Sequence, residues 1–188
     1  PDAQVLVFPA WDCMPYDRTS PLASIMAQRV RVLSQLASEK GAPAKRIILT
    51  TANAILQKIP PRAAMRSVAF TISKGQKLNR DGLLSYLAAQ GYQRTGKAME
   101  PGEFAVRGSI IDIVPSGMNE GIRIDLFGDD IESIRSFELL SQLTQSPLDK
   151  VELLPVSEVL LTDQSIQNFR ERYRELFGAV SKDDPLYE

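Results

Sequence analysis

The sequence predicts an α/β fold in two parts: a parallel α/β part, and a small α+β part with a mixed or antiparallel sheet inserted into it. Strand-like and helix-like segments alternate over residues 1–66, which is the order typical of a parallel sheet. Short alternating strands separated by Gly, Pro and Asn fill the region 103–137, as in antiparallel sheets. With 188 residues, 44% of them hydrophobic, the chain can bury a core.

Two strands are predicted in the first part. Gln4–Phe8 is apolar enough to be a buried strand that ends at Pro9, and Arg46–Thr50 is rich in β-branched side chains. The order of strands and helices predicts that the two strands belong to one parallel sheet.

Two helices are predicted beside these strands. The first spans residues 21–39, where apolar side chains recur at helical spacing. Ser20 is its predicted N-cap, ahead of a proline in the first turn, and Gly41 and Pro43 are predicted to end it. A second, short helix is predicted over 51–59 and is stopped by the two prolines that follow.

The inserted part is predicted to span residues 67–155. It begins with a strand at Ser67–Ile72, and Asn79 then caps a helix that Gly91 closes. The remaining segments read as short strands: G-E-F-A-V-R-G, S-I-I-D-I-V, G-I-R-I-D-L-F and D-D-I-E-S-I-R-S-F-E-L.

The last predicted helix lies in residues 156–188, with Thr162 as its N-cap. Five apolar side chains form one stripe along this helix: Ile166, Phe169, Tyr173, Leu176 and Phe177. We expect this stripe to be buried as helix core.

Composition excludes several classes of site. The chain has no histidine, which excludes a Ser-His-Asp triad, a Cys-His pair and a histidine-bound metal. Cys13 is the only cysteine, so no internal disulfide or multi-cysteine zinc site can form, and we expect a reducing, cytoplasmic environment. No apolar run approaches the roughly 20 residues of a membrane span.

The charge balance argues against a dedicated nucleic-acid binder, because the net charge is −1. The first 66 residues nevertheless hold nine basic and four acidic side chains. This basic third of the chain could contact a phosphate backbone, so a DNA-contacting module stays open as one alternative function.

The segment 91–98, G-Y-Q-R-T-G-K-A, matches the G-x-x-x-x-G-K of a phosphate-binding loop. Such a loop continues with a Ser or Thr hydroxyl that holds magnesium, and it runs from a buried strand into a helix. Here the hydroxyl position is Ala98, and the segment follows a predicted helix. We therefore interpret Gly91 as a helix C-cap followed by a polar loop.

Three neighbouring acids, Asp129, Asp130 and Glu132, could bind a metal or act in acid–base catalysis. They lie beside Gly128 between two alternating strands, and this pattern is typical of a hairpin turn. We interpret them as turn residues. Cys13 has no histidine to serve as its base, so we predict no nucleophilic role for it.

The strand 122–127 is the strongest candidate for a binding surface. Alternation gives it a core face of Ile122, Ile124 and Leu126 and a second face of Arg123, Asp125 and Phe127. An exposed aromatic beside an arginine is typical of an interface hot spot, although a helix of the same protein could equally cover the strand. Arg107, at the start of another strand segment, could join this patch.

Four segments resemble one bacterial family. F-P-A-W-D-C-M-P-Y-D and the following helix resemble the N-terminal region of transcription-repair coupling factors (Mfd). G-E-F-A-V-R-G-S-I-I-D-I-V-P and I-R-I-D-L-F-G-D-D-I-E-S-I-R resemble the second domain that Mfd shares with the excision-repair subunit UvrB. L-L-P-V-S-E-V-L-L-T-D resembles the return into the first domain. The W-D-x-x-P-Y-D loop and its direct run into a helix favour Mfd over UvrB.

The resemblance implies a partial helicase-like domain at 1–66, a UvrA-docking domain at 67–155 and a helical return into the first domain at 156–188. It implies a non-catalytic role, in which docking of UvrA links RNA polymerase stalled at damage to excision repair. Three residues match the family's UvrA-contacting positions: Arg107, Arg123 and Phe127.

The resemblance also implies that this chain is a piece of a longer protein, as its abrupt start and end suggest. ATP, magnesium, DNA and RNA polymerase would be bound by other parts of that parent, while this chain would hold no cofactor or metal and would not act as an enzyme. A UvrB-type, ATP-dependent DNA repair helicase fragment stays open beside the DNA-contacting module.

Overall fold

A computed structural model describes residues 3–14, 17–39, 45–160 and 162–178 of the chain, and it confirms the predicted α/β class. In chain order the elements are β1 (Gln4–Phe8), α1 (Ala23–Ser38), β2 (Arg46–Thr50), α2 (Ala52–Leu56), α3 (Arg62–Ser67), β3 (Phe70–Ser73), α4 (Arg80–Ala89), β4 (Gln93–Arg94), β5 (Glu103–Arg107), β6 (Ile110–Ile113), β7 (Gly121–Phe127), β8 (Asp130–Phe137), β9 (Thr144–Pro147), β10 (Lys150–Leu153) and α5 (Asp163–Phe177).

β1 and β2 pair in parallel over their full length, with α1 as the connection between them. Both strands have the predicted bounds. The prediction that β1 is buried is wrong, because only Leu6 is buried while Val5 and Val7 are about half exposed. Parallel sheets are normally covered on both faces, but no third strand joins these two within the described ranges.

α1 starts later than the sequence pattern predicts. Its N-cap is Leu22 and not Ser20, and no side chain caps it. The loop before the helix is held instead by Asp12, whose Oδ1 accepts a hydrogen bond from the backbone N–H of Leu22 at 3.1 Å. The predicted stop at Gly41 and Pro43 lies outside the described residues.

α2 begins where predicted, since Thr51 Oγ1 accepts a hydrogen bond from the backbone N–H of Ala54 at 3.2 Å. The sequence pattern does not predict α3, which displaces the start of the strand predicted at Ser67–Ile72, so that β3 begins at Phe70. Pro61 is the N-cap of α3, a position where proline breaks no helical hydrogen bond. Met65 of α3 is buried against α1 and fixes the two helices together.

Six strands form the main sheet, in the order β4-β5-β6-β7-β8-β9. Neighbouring strands are antiparallel except β4 and β5, so the sheet is mixed, as predicted. β3 and β10 form a separate antiparallel pair. In the part of the chain that the structure describes, none of these strands pairs with β1 or β2. The exact boundaries of the insertion, 67 and 155, stay a prediction.

The main sheet packs one face against α4. This helix has the predicted ends, because Asn79 Oδ1 accepts from the N–H of Gly82 at 3.0 Å and Gly91 takes a left-handed φ of 85°. Helix, sheet and the β3–β10 pair share one apolar core: Ile72, Leu83, Leu87, Tyr92, Phe104, Ile111, Ile113, Ile122, Ile124, Leu126, Ile131, Ile134, Val151 and Leu153.

A buried ion pair joins the first and last parts of the chain. Arg29 on α1 donates through Nε and Nη2 to the carboxylate of Glu158, with Nη2–Oε2 at 3.1 Å. Its Nη1 donates to the carbonyl of Pro9 at 2.7 Å and to Gln57 Oε1 at 3.0 Å. Trp11 Nε1 donates to the same carboxylate at 2.6 Å. This network ties the end of β1, α1, α2 and the segment after β10 together.

α5 begins with the predicted cap, a reciprocal capping box between Thr162 and Ser165. The prediction that its apolar stripe is core is wrong, because no side chain of α5 is buried. The rings of Phe169, Tyr173 and Phe177 pack on one another along the helix surface. None of the described helices is long and apolar enough to cross a membrane.

Candidate docking face

The second face of the main sheet, opposite its apolar core, carries the predicted site residues. On β7 the core face is as predicted, with Ile122, Ile124 and Leu126 buried. Phe127 on the other side is 79% exposed. We call this side the polar face and define it by Arg107, Asp112, Arg123, Asp125 and Phe127.

Asp112 is the centre of the polar face, although it is fully buried. It lies opposite Arg123 in the β6–β7 pairing, and Arg123 Nε and Nη2 donate to its two oxygens at 2.7 and 3.0 Å. Arg107 Nη2 donates to Asp112 Oδ2 at 2.5 Å. One carboxylate therefore holds both of the predicted arginines.

The two arginines differ in how much of the side chain is exposed and can contact a partner. The side chain of Arg107 is 52% exposed, while that of Arg123 is 16% exposed. Arg123 also donates through Nη1 to the carbonyl of Gln142 and to Thr144 Oγ1, each at 3.3 Å, and its guanidinium lies 5.0 Å from the ring centroid of Phe137. Hydrogen bonding to Asp112 raises the pKa of Arg123, so it stays charged.

The structure brings Arg107 and Arg123 together and places Phe127 further along the same face. Arg123 and Phe127 lie four residues apart on β7, which corresponds to roughly 13 Å of strand. Arg107 pairs with Ile110, and Ile110 pairs with Asp125, which lies midway between Arg123 and Phe127 on β7. A partner that covers this face from β5 to β7 would contact all three predicted residues.

Asp112 and Phe137 are the residues of this face that sequence reasoning missed. Asp112 interrupts the apolar run S-I-I-D-I-V, and a lone carboxylate inside a buried strand indicates a charged partner nearby. Nothing in the sequence identifies that partner, because Arg107 and Arg123 reach it from two other strands. Phe137 has no comparable signal, since an aromatic residue in a strand is ordinary core composition.

The phosphate-loop match at 91–98 has the geometry of a helix end and an edge strand. Gly91 closes α4, and the chain then enters the two-residue strand β4 without opening a helix. Ala98 is fully buried in a small cluster with Ala105, Val114 and Phe137. The segment therefore lacks the strand–loop–helix geometry of a phosphate-binding loop.

Of the three acids, Asp129 lies in the turn between β7 and β8, as predicted. The prediction that Asp130 and Glu132 are turn residues is wrong, because β8 begins at Asp130 and includes Glu132. Gly128 has a φ of 60° at the turn, and Asp130 pairs with Phe127. Among the described residues no group of three or more acidic or sulfur side chains is placed to hold a metal ion. Cys13 is partly buried and unpaired.

Comparison with known proteins gives one family match, between residues 70–159 and the UvrB interaction domain. The whole chain is 32% identical to the transcription-repair-coupling factor of Rickettsia bellii and 31% identical to that of Escherichia coli, covering 16% of each relative. It is 37% identical to the Myxococcus xanthus factor over 86% of the chain and 13% of that protein. The chain thus spans between about an eighth and about a sixth of the length of these relatives.

Proposed function

From its relationship to the transcription-repair-coupling factors, we propose that the chain is a docking module for the UvrA repair subunit. Residues 70–159 of the chain belong to the UvrB interaction domain family. In this role it connects a transcription-coupled repair factor to nucleotide excision repair. The chain performs no chemistry of its own. RNA polymerase, DNA and ATP would be engaged by other parts of a longer, cytoplasmic parent.

The observation that carries the proposal is the exposure of Phe127. A phenyl ring that is 79% exposed at the end of a strand with a complete core on its other side contributes little to folding. Aromatic residues and arginine are enriched among the residues that dominate binding energy. Phe127 and the half-exposed Arg107 are two such residues on the same face of the sheet.

The chemistry of the polar face also indicates what the partner offers. Arg107 uses Nη2 on Asp112, and its half-exposed guanidinium can donate further hydrogen bonds to a carboxylate on the partner. Phe127 requires an apolar pocket. We therefore expect an acidic side chain beside an apolar pocket on UvrA.

Titration of UvrA against this chain tests the proposal, with Phe127→Ala as the variant. We expect binding to weaken by about 2 kcal/mol or more, roughly thirtyfold. Phe177→Ala is the matched control, because Phe177 is 72% exposed but lies on α5, away from the polar face. If both variants bind UvrA as the parent chain does, this docking assignment is wrong.

The alternative of a nucleotide-dependent repair enzyme has its own test. We propose that the chain neither binds nor hydrolyses ATP, because Ala98 replaces the hydroxyl that would hold magnesium. ATP binding at micromolar concentration that disappears in Lys97→Ala would contradict this. Salt-dependent binding of duplex DNA would instead support the DNA-contacting alternative.

A further inference from the structure

Two leucines are exposed in the turn between β8 and β9, next to the polar face. We call residues 138–143 the leucine turn. Leu140 is 79% exposed and Leu143 is 69% exposed, although the turn follows the fully buried Phe137.

The leucine turn is closed by hydrogen bonds among its own residues. The N–H of Gln142 donates to the carbonyl of Glu138 at 2.8 Å, and the N–H of Glu138 donates to the carbonyl of Leu143 at 3.0 Å. Ser141 Oγ donates to the Glu138 carboxylate at 2.6 Å. A turn closed in this way holds its two leucines in one arrangement before any partner arrives.

Gln142 fixes the turn to the rest of the domain at the cost of an unfavourable backbone. Its φ of 62° is the only left-handed value of a non-glycine residue among the described ranges. Its Nε2 donates to the carbonyls of Ala98 and Leu139 at 3.1 and 2.8 Å, while its Oε1 is buried without a hydrogen-bond partner. Strained residues of this kind are concentrated at functional sites.

Arg123 connects the leucine turn to the polar face. Its Nη1 donates to the carbonyl of Gln142 while its Nε and Nη2 hold Asp112. Phe127 lies roughly 13 Å from Arg123 along β7. A standard protein interface covers about 800 Å² on each partner, which is wide enough to include both the turn and Phe127.

We propose that the leucine turn is a second apolar anchor of the docking surface, inserted into an apolar site on the same partner that receives Phe127. This proposal rests on the proposed function. Arg123 then acts as a positioning residue. It holds the turn and Asp112 in place, while Arg107 and Phe127 contact the partner. A preorganised turn loses little conformational freedom on binding, which favours affinity.

The double variant Leu140→Ser/Leu143→Ser tests this second anchor. We expect UvrA binding by the 188-residue chain to weaken at least tenfold, with the urea midpoint of unfolding unchanged. Leu56→Ser/Leu176→Ser is the matched control, since these leucines are 83% and 70% exposed on α2 and α5. The control should bind as the parent chain does.

Gln142→Gly gives an independent test, because glycine accepts the left-handed backbone but removes the amide that clamps the turn. We expect weaker UvrA binding and faster hydrogen exchange in residues 138–143, without loss of the fold. If Gln142→Gly binds as the parent chain does while the turn exchanges faster, preorganisation of the turn is not needed and the proposal is wrong.

The outcomes separate this proposal from the docking function itself. If the leucine variant binds UvrA as the parent chain does and Phe127→Ala binds weakly, the leucine turn is not a second anchor, and the docking function is still supported. If both variants bind as the parent chain does, the second anchor and the docking function are both wrong. A change in the sedimentation of the chain alone, caused by the leucine variant, would assign the turn to contact with a second copy and overturn the proposal.

Discussion

The ring of Phe137 lies directly on Gly121, its partner across the β7–β8 pair. A Cβ at position 121 would come within 2.0 Å of the ring Cζ and 2.2 Å of Cε1, far inside van der Waals contact. Phe137 is fully buried, and the guanidinium of Arg123 lies over its ring. Gly121 thereby leaves room for the ring that supports Arg123 on the polar face.

Gly121→Ala should destabilise the chain by about 2 kcal/mol or more, because the new methyl group overpacks a ring that has no space to move. Urea unfolding measures the loss. Gly96→Ala is the control, since a Cβ there meets no atom within 4 Å. Neither glycine has a left-handed backbone, so strain in φ does not enter the comparison. Equal midpoints for the two variants would contradict the packing argument.

Arg107→Ala and Arg123→Ala should have different effects. Arg123 makes two bonds to the buried carboxylate of Asp112, and its loss should cost about 2 kcal/mol of stability, as expected for hydrogen bonds to a charged group. Arg107 is half exposed, and its loss should change stability by less than about 1 kcal/mol. We expect Arg107→Ala to weaken UvrA binding chiefly through slower, salt-dependent association. If Arg107→Ala lost more stability than Arg123→Ala, Arg107 and not Arg123 would be the main structural partner of Asp112.

Arg29→Met should be among the most destabilising substitutions in the first part of the chain. It leaves the buried carboxylate of Glu158 without its cation, and breaking a buried pair costs about 3–5 kcal/mol. Adding Glu158→Leu should recover part of this loss, because the orphaned charge is then gone. The check is chemical unfolding of the single and double variants beside Arg18→Met, whose side chain is exposed. A double variant no more stable than Arg29→Met would show that the orphaned charge is not the cause.

Stability should fall at high pH through the buried tyrosines. Burial raises the pKa of Tyr92 from 10.0 to about 12, and its hydroxyl donates to the carbonyl of Leu154 at 2.8 Å. The raised pKa means that the contribution of Tyr92 is complete below pH 10 and is lost as the pH rises to 12 and beyond. A shift of this size corresponds to about 2–3 kcal/mol.

Tyr92→Phe should therefore lose less stability between pH 10 and 12 than the parent chain does. Burial also raises the pKa of Tyr86, so part of the pH dependence should persist in the variant. Unfolding free energies measured at several pH values in this window give the comparison. Identical slopes would mean that Tyr92 ionises in the folded chain as readily as in the unfolded one.

Most of the local structure could be predicted from the sequence, because it depends on neighbouring residues. Asn79 and Thr162 cap α4 and α5 as expected, since a cap needs only a side-chain oxygen and the first turn of its helix. The alternation along β7 identifies its core face for the same reason. The α/β class and the mixed sheet follow from such short-range patterns, while the assignment of the site residues as docking residues stays a prediction.

Burial and charge pairing were decided only by the tertiary structure. Alternation and helical periodicity identify an apolar face but do not say what covers it. Val5 and Val7 of β1, and Phe169, Leu176 and Phe177 of the stripe on α5, are therefore exposed where the sequence predicts core. Arg29 and Glu158 lie 129 positions apart, and Asp112 meets arginines from two other strands. Such contacts depend on which strands become neighbours, and strand neighbours are set by the packing of the whole sheet, which no local pattern encodes.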